Sequence, residues 1–290
     1  MVVRGSRGGH RPSGALAVGA GRGGVRPAVR RHLRRYHDAV LGDRPARPGA
    51  PCGCDPHRRL WHRKLDLLLR DPVPIVSFTF ALPAATAIGM LRRRGSFTIQ
   101  TVTTIEEARA AEEAGVDALA LQGFAAGGHS GGWDPRVAPA ELSLAELVRR
   151  VHAQVGIPII AAGGIGSAAG VPAARAAGAA AVSVGTAVLR ASESGASAIH
   201  KSALADPAYT ETVLTRAFTG RLARALPNGF VKDHGADAPI GYPAVHHLTR
   251  PIRAAATSAG DPSSVNLWAG RGFRSATDAS ARPRTGSRAG

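Results

Sequence analysis

Residues 121–132 read LQGFAAGGHSGG, which sets His129 among Gly123, Gly127, Gly128, Gly131 and Gly132. An imidazole changes protonation near neutral pH, so a loop histidine is a candidate acid–base group. Glycine loses more conformational entropy on folding than any other residue. A cluster of it therefore implies a backbone that bends tightly or passes close to something. Two further stretches share this character: AAGGIGSAAG (161–170) and VGTAVLR (184–190). Backbone N–H groups at Gly163 and Gly164, before a helix, suit a phosphate, and Gly185 and Thr186 at the next strand end are placed to help. The spacing Gly164-x-Gly166 also fits a dinucleotide-binding turn. That fingerprint wants an acidic residue about twenty positions on, and the chain has none there before Glu193.

These three loops need a scaffold, and the sequence between them supplies one. VPIVSFTF (73–80), SFTIQTVT (96–103), VDALALQG (116–123), IPIIAAGG (157–164) and AAVSVGTAVL (180–189) are apolar runs of the kind formed by strands covered on both faces. Helices are expected between them, over 84–94, 105–114, from Ser143 and over 168–177. Thr104 with Glu107 and Ser143 with Glu146 have capping-box spacing, and Gly115 follows the second of these helices. The later helix has Leu144, Leu147, Val148 and Val151 on one face. Alternating strands and helices imply right-handed βαβ units and a parallel sheet. In such folds ligands bind at the carboxyl ends of the strands, where all three loops fall. LWHRKLDLLLRD, from Leu60, has helical spacing, whereas Tyr209–Phe218, His246 and His247 are expected to pack outside the sheet.

The formal net charge of +17 is unevenly spread: residues 1–60 carry +10, residues 271–290 carry +4, and the rest only +3. Arginines between Arg4 and Arg59 offer phosphate contacts, but the segment has almost no aromatic residues to stack on bases, which disfavours nucleic acid as a partner. Residues 1–60 are rich in Arg, Gly and Pro and show no periodicity beyond a short helix suggested over 28–36. Such a stretch, like the tail 275–290, reads as disordered. Cys52 and Cys54 form one C-x-C near His57 and His62. A zinc site needs four ligands, so the expectation is a reduced, metal-free, cytoplasmic chain. The uncharged run Val73–Leu91 is divided by Pro74 and Pro83, and it reads as a strand and helix rather than a membrane span.

Taken together, LQGFAAGGHSG, PIIAAGGIGSAAGV, AVSVGTAVLR, TRAFTGRLAR, DPVPIVSFTFALP and HHLTRPIR…NLWAG resemble the nitronate monooxygenase family, formerly called 2-nitropropane dioxygenases. The similarity runs from about Trp61 to Arg274, which sets the expected domain at 61–274. It implies an α/β fold of the TIM (β/α)8 type, binding FMN and oxidising alkyl nitronates with O2 to carbonyl compounds and nitrite. Carried over by position, Gln122 and Gly127 resemble flavin-contacting residues. Gly164, with Gly163, matches the phosphate loop, and Ser183, Val184, Gly185 and Thr186 match the flavin segment of the last strand. His129 matches the catalytic histidine, expected to hydrogen-bond the nitronate or to remove the α-proton of a neutral nitroalkane.

The chain departs from the family pattern in three places. Ala125 stands where members often have Glu, and Ser183 where they often have Gln. The five strands correspond to the family's fourth to eighth, and residues 1–60 show no counterpart of the first three, which suggests a frameshift or misassigned start. The barrel is therefore expected to be incomplete. An inactive flavoprotein fragment and an FMN-dependent enoyl-acyl carrier protein reductase of the same barrel family are the alternatives.

Overall fold

A computed structural model describes residues 2–4 and 56–279. All five expected strands are present: β2 (Ile75–Phe78), β3 (Phe97–Val102), β4 (Ala118–Gln122), β6 (Ile159–Ala162) and β7 (Ala181–Ser183). They run parallel in the order β2-β3-β4-β6-β7. A further strand, β1 (Val2–Arg4), lies antiparallel on β2. Regular structure this early, and a helix starting at Pro56, differ from the expectation for residues 1–60. An edge strand offers unpaired N–H and C=O groups to any extended segment. The last strand is shorter than its sequence pattern, because the chain turns at Gly185 into a 3-10 turn at Thr186–Val188.

Helices α1 (Pro56–Arg70), α2 (Ala85–Arg93), α3 (Ile105–Glu113), α4 (Leu144–His152) and α5 (Gly170–Ala176) cover one face of the sheet. Strand residues on that face are buried: Val76, Val102, Leu119, Leu121 and Ala161 at 0 % exposure, Ile159 at 1 %. Ile88, Leu91, Val148 and Val151 pack on them from the helices. Two polar side chains share the face. Thr98 donates its hydroxyl to Asp117 Oδ2 at 2.7 Å, but Gln100 Oε1 is buried with no partner.

The parallel register places Ile75, Ile99 and Ile160 on the opposite face, and these are only half-buried. Phe97 on the same face is 43 % exposed. Among the described residues the sheet is open, since β7 and β1 stand at its two ends without pairing.

Ser143 caps α4 as expected, accepting from Glu146 N at 3.2 Å. Thr104 caps α3, accepting from Glu107 N at 3.1 Å. The reciprocal arm differs from the simple capping box: the Glu107 carboxylate accepts from Thr103 N at 2.6 Å and Thr103 Oγ1 at 2.9 Å.

Residues 209–225 form the strands β8 (Val213–Thr215) and β9 (Ala223–Ala225), which make a small antiparallel sheet with β5 (Gly128–His129). Unpaired backbone in the histidine loop gives β9 a ladder partner, a long-range pairing that local periodicity does not reveal. Helices α6 (Ala198–Ala205), α7 (Gly229–His234), α8 (Ala244–Leu248) and α9 (Arg250–Ala259) complete the described chain. Leu204, Leu226, Leu267 and Phe273 form a second core beside them. No helix among the described residues is long and apolar enough to cross a membrane.

Candidate active site

The loop after β4 is held from inside. Gln122, the last residue of that strand, spends both ends of its amide on the loop. Nε2 donates to His129 O at 3.0 Å, and Oε1 accepts from Gly131 N at 2.7 Å. The Glu107 carboxylate also accepts from Trp133 N at 2.6 Å. On the other side β5 pairs with β9, His129 opposite Ala223, and Ser130 N donates to Leu222 O at 2.8 Å. Gly127 answers a specific need: a Cβ there would stand 2.5 Å from Gly270 N and 2.7 Å from Ala269 C. The histidine loop and the segment 268–272 touch backbone to backbone.

Between these segments and the ends of β4, β6 and β7 lies a cavity of about 320 Å³. Of the residues singled out from sequence, Gln122, Gly127, Gly163, Gly164, Ser183, Gly185 and Thr186 line it. Val184 does not, and His129 stands just outside, next to the lining residue Gly128. Thr186 Oγ1 accepts from Gly270 N at 3.0 Å and ties the far wall to the strand ends. Gly164 has φ +74, and a Cβ on it would lie 2.8 Å from Ala125 Cβ.

Helix α5 begins only at Gly170, so the glycine turn, not a helix N-terminus, faces any ligand here. Among the described residues the N–H groups of Gly163, Gly164, Gly185 and Thr186 have no internal acceptor. Uncommitted backbone donors gathered at strand ends form an anion cradle, and a Cβ on Gly185 would meet nothing within 4 Å. The phosphate of an FMN fits that donor set.

His129 Nε2 is 2.9 Å from Thr219 Oγ1. Its ring stands in an aromatic enclosure, with centroids at 5.3 Å from Trp268, 5.5 Å from Tyr242 and 6.1 Å from Phe80. Trp268 also lines the cavity, so the imidazole and the cavity share a wall. Phe80 has φ +78, a conformation a bulky residue adopts only when its surroundings impose it.

Arg221, buried at 6 % exposure, places its guanidinium 4.1 Å over the Phe80 ring. It donates to Ser130 O at 3.1 Å and to Gly132 O. Burial holds the His129 imidazole down at about 4 from an ordinary 6.5, and the Arg221 cation and His246 push the same way. His129 is therefore neutral at pH 7.

Thr219, Arg221, Phe80, Tyr242 and Trp268 carry no signal of their own in the sequence beyond lying in or near the recognised motifs. They come to His129 from positions far along the chain. No group of three or more metal-ligating side chains occurs among the described residues; Cys52 and Cys54 lie outside them.

A parallel α/β sheet with a glycine-lined cavity at its strand ends, uncommitted backbone donors in its wall and a half-buried imidazole just outside it has the layout in which α/β proteins bind ligands. The chain belongs to the nitronate monooxygenase family, whose family model matches residues 38–282. That match begins upstream of the boundary near residue 60 suggested by composition.

Among curated relatives, a probable nitronate monooxygenase of Staphylococcus aureus strain Newman is 38 % identical over 217 residues, covering 73 % of this chain and 61 % of the relative. The protein of that name from strain MSSA476 matches equally. The chain thus spans about three-fifths of the length of these relatives. Among solved structures, nitroalkane oxidase from Streptomyces ansochromogenes is 44 % identical with TM-score 0.74, covering 92 % of this chain and 76 % of that one. FabK from Thermotoga maritima is 27 % identical with TM-score 0.63, covering 76 % of this chain and 67 % of that one.

Proposed function

We propose that this chain binds FMN in the strand-end cavity and oxidises small alkyl nitronates with O2, giving a carbonyl compound and nitrite. The observation that carries the reading is the conjunction of four uncommitted N–H groups at Gly163, Gly164, Gly185 and Thr186 with a neutral, half-buried His129 just outside the same cavity, behind the shared wall of Trp268. The four amides would hold the phosphate, and Gln122, Gly127 and Ser183 would border the ring system. When bound, FMN supplies the redox chemistry that no protein side chain can.

The chain's own residues do the rest. His129 either hydrogen-bonds the nitronate or accepts the α-proton of a neutral nitroalkane, for which it must be unprotonated. Phe80, Tyr242 and Trp268 surround the imidazole and would offer apolar walls to an alkyl group. Arg221 adds a buried positive charge beside the place where a nitronate's negative charge would lie.

Addition of FMN to the purified chain tests the first half. Retention of a flavin absorbance spectrum through gel filtration is expected, and its loss in Gly164→Val, where a side chain meets Ala125, is expected too. Retention unaffected by that substitution would place the flavin elsewhere. NAD(P)H consumption by the loaded chain should stay slow; rapid consumption would favour a reductase.

A further inference from the structure

Thr219 is a residue to which sequence reasoning gives no role, yet its hydroxyl is the polar group that meets His129. It is 1 % exposed and sits in the turn between β8 and β9. The turn is fixed: Thr219 N and Gly220 N both donate to Arg216 O, at 3.1 and 2.8 Å. Gly220, at φ +73, leaves room for the backbone of Gly241 where a Cβ would stand 2.7 Å from its nitrogen.

A threonine hydroxyl has one proton and two lone pairs. Three groups surround this one: His129 Nε2 at 2.9 Å, Arg221 O at 3.2 Å and Arg221 N at 3.4 Å. Arg221 N–H can only donate and Arg221 O can only accept. If the hydroxyl proton goes to Arg221 O, the oxygen accepts from Arg221 N–H and from an Nε2–H, and every group is served. If the proton goes to Nε2 instead, Arg221 O loses that partner. No other group among the described residues is hydrogen-bonded to the ring. Among the described residues no carboxylate forms an ion pair with His129. The neighbouring charged group, Arg221, directs its guanidinium to Ser130 O, Gly132 O and the Phe80 face.

From this geometry we infer that Thr219 is a positioning residue that holds His129 as the Nε2–H tautomer and leaves Nδ1 as the lone pair. Among the described residues Nδ1 takes no hydrogen bond and is not a buried orphan. The inference rests on the proposed activity in one respect: it selects between the two roles for His129. A ring with its lone pair on Nδ1 is a proton acceptor there, so it serves neutral nitroalkanes. The Cα–H bond breaks, its electron pair moves into the C=N bond of the nitronate, and the proton goes to Nδ1. The imidazolium and nitronate so formed are neutral as a pair.

The test is the ring ¹⁵N spectrum of the full ¹⁵N-labelled chain at pH 7, with His129 assigned by its disappearance in His129→Asn. The wild type should show a protonated Nε2 and an unprotonated Nδ1. Thr219→Val, nearly the same shape without the hydroxyl, should lose this fixed state, and Thr219→Ser should keep it. With FMN added, kcat/KM for a neutral nitroalkane should fall about tenfold in Thr219→Val and recover in Thr219→Ser. A wild-type proton on Nδ1, or a Thr219→Val ring identical to wild type, overturns the inference. Absence of bound flavin would count against the proposed activity alone, because the tautomer is read without it.

Discussion

The proposed reactive centre depends on a histidine kept neutral by its surroundings. With an ordinary value of 6.5 when unfolded and about 4 when folded, His129 takes up a proton more readily in the unfolded chain. Its contribution to stability is therefore complete above pH 6.5 and is lost as pH falls toward 4. The loss amounts to roughly 3 kcal/mol at most. Thermal melts across pH 4–7 should show this slope, and His129→Gln should flatten it; an equal slope in both would mean other groups dominate. The same value sets the acid limb of kcat/KM near pH 4, well below that of a free imidazole. Replacing His129 by Asn should lower turnover by roughly 10²- to 10⁴-fold while leaving flavin absorbance intact. Loss of flavin together with activity would indicate a structural role. The loop that holds this histidine is legible from LQGFAAGGHSGG, and Gly127 in it marks a backbone contact that tolerates no side chain. The depressed proton affinity of His129 is not legible, because Arg221, Tyr242 and Trp268 reach it only through the tertiary fold.

At the scale of elements, strands and helices follow their sequence patterns closely. Each parallel strand is a mainly apolar run, β3 excepted with its Thr98, Gln100 and Thr101, and Thr104 and Ser143 cap the helices their spacing indicates. The small sheet β5-β9-β8 escaped that reading: β5 is two residues long and its partner lies far along the chain, so no periodicity could show it. Gln122 shows how a strand end works twice. It lines the cavity, and its amide braces the loop that carries His129. Gln122→Leu removes both bonds and leaves Gly131 N–H and His129 C=O without that partner. A loss of about 2–3 kcal/mol is expected, read as a lower denaturant midpoint at constant m value. Gln100 offers the reverse test. Its Oε1 is buried and unpartnered, and Thr101 O, which takes its amide proton, keeps Trp133 Nε1 at 3.3 Å. Gln100→Leu should raise stability by about 1–2 kcal/mol; a lowered Tm would show that the oxygen has an unrecognised partner.

For the whole molecule, the two faces of the sheet differ sharply. One is sealed by five helices, whereas the other leaves Ile75, Ile99 and Ile160 half-buried and Phe97 43 % exposed. The five parallel strands match the expectation of a parallel α/β fold, and among the described residues the sheet stays open. That architecture could be read from sequence because buried parallel strands have a plain composition; the strand at Val2–Arg4 could not, because edge pairing uses backbone alone. A half-covered apolar face predicts binding of a hydrophobic dye by the native chain and concentration-dependent aggregation. Phe97→Lys should slow that aggregation with a change in Tm of no more than about 2 °C, and an unchanged rate would show that the face is covered in solution.

Oxygen uptake by the FMN-loaded full chain on addition of a small alkyl nitronate tests the central claim most directly. Uptake matched by nitrite release is the predicted result, and with a neutral nitroalkane in its place uptake should be lost in His129→Asn at equal flavin content. Stable flavin binding without oxygen uptake or nitrite would contradict it.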